Sequence, residues 1–279
     1  MATAAALNFH DVTTTMNYYA PIGNEAPYQY ALEAPKGVLS ANIGTDPRSI
    51  VVHDARGREE KFSLDRAGFQ FVKHVSQEKG FDTEARIKTV YYEEVEELIN
   101  NVTGAKRVYI FDHTIRRKVA GVEDRPGARG PVERVHIDQT FDASVKRVRH
   151  HFADDEANRL LSDRVRIINV WRPIHHPAAH KPLAVSDWRY LDVANDLVHV
   201  RLIYPERESS TFGVRYNPDH RWYYLSNQKP EEATLIKCYY SKEDRARLTP
   251  HSAFLDASAP PELPQRESIE VRCLVFDAE

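Results

Sequence analysis

The sequence predicts a mainly β fold, a double-stranded β-helix or jelly roll with helices packed on one face. Three observations lead there. Short apolar runs bounded by turn residues recur through the second half of the chain. Prolines fall mostly at the ends of those runs, where a chain turns corners. Helical periodicity appears in only two stretches, both in the first 165 residues.

Residues 1–49 are mixed and Pro/Gly-punctuated, and read as an irregular N-terminal extension of one domain spanning 1–279. A hairpin is expected next, with Ile50–Asp54 and Lys61–Leu64 as its arms and residues 55–58 as its turn. Asp82 and Thr83 then resemble a helix start. Ile87, Val90, Tyr91, Val95, Leu98 and Ile99 follow at helical spacing, and Gly104 closes the segment. A second helical stretch begins after Thr140 and carries Val145, Val148, Phe152, Leu160 and Leu161. Strand patterns occupy 107–111, 132–138, 165–171, 182–188, 197–204, 213–216, 221–225, 234–240 and 268–276. Repeats and low-complexity tracts are absent.

Composition excludes several functions. With 38 Lys+Arg against 41 Asp+Glu the net charge is −3, so there is no basic excess to neutralise phosphates and no nucleic-acid partner is expected. No apolar run approaches the ~20 residues of a membrane span. The start lacks a basic region followed by an apolar core, and the end is not a targeting tail. The only two cysteines, Cys238 and Cys273, read as buried reduced thiols. A cytoplasmic protein is the expectation. Glycine is scarce, at 11 residues, and neither GxGxxG nor GxxxxGK[ST] occurs.

The most informative tetrad is Val135-His136-Ile137-Asp138. On a strand, His136 and Asp138 share one face while Val135 and Ile137 take the other. An imidazole and a carboxylate side by side supply two ligands of a two-His-one-carboxylate metal site, and a further histidine completes it with positions left open. His251, in Pro250-His251-Ser252-Ala253-Phe254 before the last strand, is the candidate third ligand. Arg266 and Ser268 then share a strand face, and a guanidinium with a hydroxyl suits a buried carboxylate. That order of residues suits Fe(II) with 2-oxoglutarate and O2. The plain alternatives are a His–Asp hydrogen-bonded pair at a strand end, a loop histidine at 251, and surface pairing of Arg266 with Glu267 or Glu270.

Nine segments carry a family resemblance: AGFQFVKH, YYEEVEELINNVTGA, YIFDHTIRR, VHIDQT, RIINVWRP, KPLAVSDWR, HRWYYLSN, PHSAF and RESIEVR. Together they span Ala67 to Arg272, and the chain resembles the fungal hydroxylase/desaturase family of non-haem Fe(II)/2-oxoglutarate-dependent oxygenases, with its gibberellin desaturase-like and aspergillic-acid hydroxylase-like members. The resemblance implies a jelly-roll fold, non-haem iron and a small secondary-metabolite substrate. It also implies that His136, Asp138 and His251 occupy the iron-ligand positions. Arg266 and Ser268 match the Arg-x-Ser pattern of related oxygenases, with Arg272 as the competing carboxylate anchor. Residues 175–180 depart from the family and suggest a substrate-specific loop.

Other candidates are weaker. His113, Asn169 and Trp171 are the expected substrate contacts, with a solvated strand end as the alternative for His113 and a core amide bonded to backbone for Asn169, which shares a strand face with Trp171. The Gly121–Gly130 loop is long enough to act as a lid. His175, His176 and His180 read as an exposed loop, not a second metal site. Two rivals to the oxygenase remain: a cupin-like metal-dependent hydrolase or isomerase working without 2-oxoglutarate, and a non-catalytic partner subunit on the same scaffold.

Overall fold

The computed structural model describes residues 10–117 and 130–278. The chain runs through β1 (Val12–Pro21), β2 (Tyr28–Tyr30), β3 (Ile43–Asp54) and β4 (Phe69–Lys73). A helical stretch comes next, made of α1 (Glu84–Arg86), a π-turn at Ile87–Tyr91 and α2 (Tyr92–Thr103). Beyond it lie β5 (Arg107–Arg116), β6 (His136–Ile137), α3 (Phe141–His151), α4 (Asp154–Leu161), β7 (Val165–Pro173) and β8 (Leu183–Ser186). The short α5 (Val193–Asp196) leads into β9 (Leu197–Ile203), β10 (Glu208–Val214), β11 (Trp222–Tyr224), β12 (Glu232–Tyr240), β13 (His251–Ala253) and β14 (Ser268–Phe276).

Two sheets form a jelly roll. The larger has nine strands in the order β1-β3-β11-β8-β13-β6-β10-β9-β2, and the smaller has five in the order β4-β12-β7-β14-β5. Strands β7 and β12, inside the smaller sheet, are buried at every residue, as expected of strands covered on both faces. On one face Phe69, Trp171 and Ile236 pack with Leu183 and Val185 of the larger sheet. On the other, Val170, Leu235 and Val271 meet Tyr91, Val95, Leu98 and Ile99. The helix that covers this second face is capped as its sequence suggests. Thr83 accepts from the Arg86 amide, and Gly104 ends α2 at φ 65°, where a side chain is disfavoured. Helices α3 and α4 contribute Val148, Phe152, Ala157 and Leu160 to the core shared by the two sheets. The far face of the larger sheet buries Val135 and Ile137 with Met16, Tyr18 and Trp222.

Two expectations from the sequence need correction. Residues 1–49 are not an irregular extension where they are described: β1 pairs with β3 from Val12–Val52 to Pro21–Ile43. The Thr- and Tyr-rich run of β1 favours a strand, and it buries Val12, Met16, Tyr18 and Tyr19. Gly23, Pro27, Pro35 and Gly37 lie in the connections after it, whereas Pro21 ends β1 and Gly44 and Pro47 lie within β3; residues 1–9 lie outside the described part. The Ile50–Leu64 hairpin does not form either. Ile50–Asp54 is the end of β3, which pairs with β1 and, in parallel, with β11. Residues 59–61 make a 3-10 turn that sends Phe62 and Leu64 into the cores on opposite sides of the smaller sheet.

Gly68 ties the sheet edge to the segment that delivers β13. Its φ is +86°, and an added Cβ would collide with Thr249 Oγ1 and lie 3.0 Å from the Leu248 carbonyl oxygen. Gly68→Ala is therefore expected to cost about 1–3 kcal/mol from backbone strain and displacement of Thr249. Urea unfolding checks this; an unchanged midpoint would mean that the 248–249 segment yields freely.

Candidate metal centre

His136 of β6 and His251 of β13 are cross-strand partners, and their ring centroids lie 4.5 Å apart. Asp138 comes one residue after β6 and shares the His136 face, while Val135 and Ile137 go to the opposite core. One ligand atom from each of His136, Asp138 and His251 falls within 4.8 Å of the other two. Asp138 Oδ1 stands 3.4 Å from His136 Nε2 and 3.8 Å from His251 Nε2.

Each of these side chains is oriented from behind. His136 Nδ1 is 2.8 Å from the Arg134 carbonyl and His251 Nδ1 is 3.1 Å from the Thr249 carbonyl. A carbonyl only accepts, so both Nδ1 atoms carry the proton and both Nε2 lone pairs face the centre. The carboxylate is divided in the same way. Asp138 Oδ2 accepts from Asn169 Nδ2 at 2.7 Å and from Arg272 Nε at 3.0 Å, leaving Oδ1 turned to the imidazoles. Asn169 and Arg272 are themselves cross-strand partners on β7 and β14. The larger sheet thus presents the carboxylate and the smaller sheet holds it.

The charges are set by these contacts. Burial opposes ionisation of Asp138, but Arg272 and the two histidines hold its carboxyl well below the usual carboxylate range. Burial, together with neighbouring His136, pushes His251 down and favours the neutral imidazole. An ionised carboxylate and two imidazoles with free Nε2 lone pairs are the donors a two-His-one-carboxylate site requires. The residues present fit a divalent metal such as Fe(II).

These three residues line a cavity of about 420 Å³ whose wall also contains Trp171, Leu183, Arg266 and Ser268. Arg266 is only 5% exposed. It donates from Nη1 to the Lys181 carbonyl at 2.7 Å and stacks 5.4 Å from the Trp171 ring centroid, while its Nε has no partner. Among the described residues no carboxylate forms an ion pair with it, and burial with Arg116 close by pushes it down to about 9. Arg272 is the opposite case. It is engaged by Glu270 at 2.5 Å, Asp138 at 3.0 Å and Asp112 at 3.3 Å, and by the Thr114 hydroxyl at 2.9 Å.

The expected substrate contacts separate. Trp171 lines the cavity. Asn169 shares its strand face but lies behind Asp138, fully buried, so it positions a ligand and has no route to substrate. His113 is misplaced by strand alternation: Thr114 and Arg116 face the cavity, while His113 lies 2.7 Å from the Tyr92 hydroxyl and 3.3 Å from Glu84 on the helical side. His175 bonds Glu267 at 2.6 Å and the Gly80 carbonyl at 2.9 Å, and the described residues hold no metal cluster besides His136, Asp138 and His251. The expected lid falls outside the described residues except for Gly130. Reasoning from sequence missed the role of Arg272 and Asn169 together. A polar residue inside the buried run Val165–Pro173 was the available signal, because such a group demands a partner.

Comparison with known proteins agrees with this geometry. A family model described as an oxidoreductase/YMDC permease-like domain matches residues 16–276. The hydroxylase/desaturase efuI of Hormonema carpetanum is 37% identical, covering 98% of this chain and 97% of that protein. The Fe(II)/2-oxoglutarate-dependent dioxygenase nvfI of Aspergillus novofumigatus is 32% identical over 91% of this chain and 92% of its own. A solved structure of the iron and alpha-ketoglutarate-dependent endoperoxidase NvfI superimposes with a TM-score of 0.85 at 31% identity, covering 97% of this chain and 99% of that one.

Removing the Asn169 amide leaves Asp138 Oδ2 with Arg272 alone. Asn169→Ala is expected to weaken divalent-metal binding by about 10–100-fold, the usual effect of losing an outer partner of a ligand. His113→Ala should leave it unchanged. Calorimetric titration with Co(II) compares the two; equal affinities would detach Asn169 from the site.

Proposed function

The chain belongs to the fungal hydroxylase/desaturase family of Fe(II)/2-oxoglutarate-dependent oxygenases, and we propose that within it His136, Asp138 and His251 hold the iron while Arg266 and Ser268 bind the distal carboxylate of 2-oxoglutarate. It is an oxidoreductase acting on a small secondary-metabolite substrate by hydroxylation, desaturation or oxidative cyclisation. Iron held there with 2-oxoglutarate would supply the oxidising power for this reaction, O2 being reduced while 2-oxoglutarate is oxidised to succinate and CO2. The observation that carries the residue assignment is the buried guanidinium of Arg266, which no carboxylate among the described residues pairs with, in the same cavity as the candidate metal donors.

Each protein group has a defined task there. The Nε2 atoms of His136 and His251 and Asp138 Oδ1 would hold the metal. Asn169 and Arg272 keep the second carboxylate oxygen from competing. Arg266 offers a planar fork to a carboxylate and Ser268, 1% exposed, offers a hydroxyl. Trp171 packs on Arg266 and excludes water from it, which strengthens the pairing. Arg272 is fully used by three carboxylates, which supports Arg266 as the anchor. No helix among the described residues is long and apolar enough to cross a membrane. We place the reaction in the cytoplasm, where the buried free thiols of Cys238 and Cys273 stay reduced.

Succinate release from 2-oxoglutarate tests the assignment and separates an oxygenase from a metal hydrolase, an isomerase or a silent partner. His136→Ala and Asp138→Ala should abolish it with the fold retained. Arg266→Ala strands a desolvated carboxylate at a cost of about 2–5 kcal/mol. It should raise the 2-oxoglutarate requirement about 30-fold or more. Arg266→Lys should recover part of the loss, and metal binding should survive in both. An unchanged requirement in Arg266→Ala would remove the anchor from this residue.

A further inference from the structure

A second cavity, of about 680 Å³, opens against the same metal donors. His136, Asp138 and Val132 line both cavities, so the two meet at His136 and Asp138, while His251 lines the first alone. Their remaining walls differ. The first is built of Arg266, Ser268, Thr114 and their neighbours, the second of Ile43, Val200, Leu202 and Phe212 from β3, β9 and β10. The second has room for a larger, apolar molecule, and its floor is the ligand-bearing segment itself.

One charge interrupts that apolar wall. Arg134 stands two residues before His136 and shares its face, so it lines the second cavity. Its Nη2 donates to Gln29 Oε1 at 2.6 Å, a neutral amide also in the lining. Among the described residues no carboxylate forms an ion pair with Arg134, although Glu133 beside it pairs with Lys181. A half-buried guanidinium facing apolar walls is costly unless an anion joins it. A carboxylate matches the planar fork and sheds its water more readily than a phosphate dianion.

We propose that this second cavity seats the substrate as an apolar carboxylic acid, with Arg134 and Gln29 gripping its carboxylate and Ile43, Val200 and Leu202 enclosing its hydrocarbon body. The inference rests on the oxygenase reading above for the word substrate, but the binding it describes does not need turnover. The two arginines then divide the anions: Arg266 takes the cosubstrate from one side of the triad and Arg134 the substrate from the other.

The test uses the full-length protein loaded with Fe(II) and 2-oxoglutarate under argon, with 1-pyrenebutyrate and 1-pyrenebutanol as matched probes and fluorescence anisotropy as readout. The wild type should bind the acid about tenfold or more tightly than the alcohol. Arg134→Leu should bring that ratio to about one and leave alcohol binding within about twofold, while Arg134→Lys should keep part of the preference. Gln29→Glu retains the arginine and gives it an internal carboxylate, so it should also erase the preference. A second titration measures 2-oxoglutarate in each variant, where only Arg266→Ala should lose affinity. Equal binding of both probes by the wild type, no binding of either, or an Arg134→Leu variant that loses 2-oxoglutarate and not pyrenebutyrate overturns the proposal. Failure of the wild type to bind 2-oxoglutarate at all would strike the cosubstrate assignment instead, and the probe ratio would still decide the role of Arg134.

Discussion

The site depends on one carboxylate held between two sheets. Asp138 leaves the larger sheet with Oδ1 toward two imidazoles, and Oδ2 is claimed by an amide and a guanidinium of the smaller sheet. A carboxylate in this position without those donors would be a desolvated charge, expensive to keep. With them it is both ionised and aimed. The same contacts join the layers, so fixing the ligand and closing the sheets are one event. Removal of either sheet-side partner leaves the charge buried and poorly compensated, so the proposed metal donor is at the same time a structural keystone.

Register gives the rest of the site its accuracy. Strand β6 has two residues and β13 three, yet His136 and His251 sit opposite each other because the two strands are paired neighbours. Backbone carbonyls two residues upstream orient both rings, so the side chains need little help from loops. Across the interior, Arg272 and Asn169 are placed by a second register. Beside them the β14–β5 pairing steps from Asp112 to Ile110, so a bulge at Phe111 resets the alternation of β5. Two independent strand pairings therefore converge on one centre.

Much of this was legible in the chain. Strand alternation placed His136 with Asp138 and Ser268 with Arg266, and the strand patterns at 165–171 and 268–276 showed in their density of Val, Ile, Leu and aromatic residues despite interspersed polar ones. The failures had physical causes. Strand β1 is half exposed and rich in threonine and tyrosine, so it lacks the apolar run that marks a buried strand. Strand β13 is too short for periodicity and lies directly after a proline. His113 and Thr114 are adjacent, and sequence alone does not say which of them faces inward. Asn169 was recognisable as a polar residue requiring a partner; only the sheet packing reveals that the partner is Asp138.

The donors and the apolar wall of the second cavity belong to different strands. His136 and His251 come from β6 and β13, whereas Ile43, Val200 and Leu202 come from β3 and β9. On the reading proposed above, the strands that would hold the metal and the strands that would shape the substrate are therefore separate parts of the larger sheet. One point in the wall is constrained: a side chain on Gly213 would press on the Tyr19 ring at 3.1 Å. A larger residue there would have to push that ring aside, so the wall's shape at this point is tied to a tyrosine of β1 as well as to its own strand.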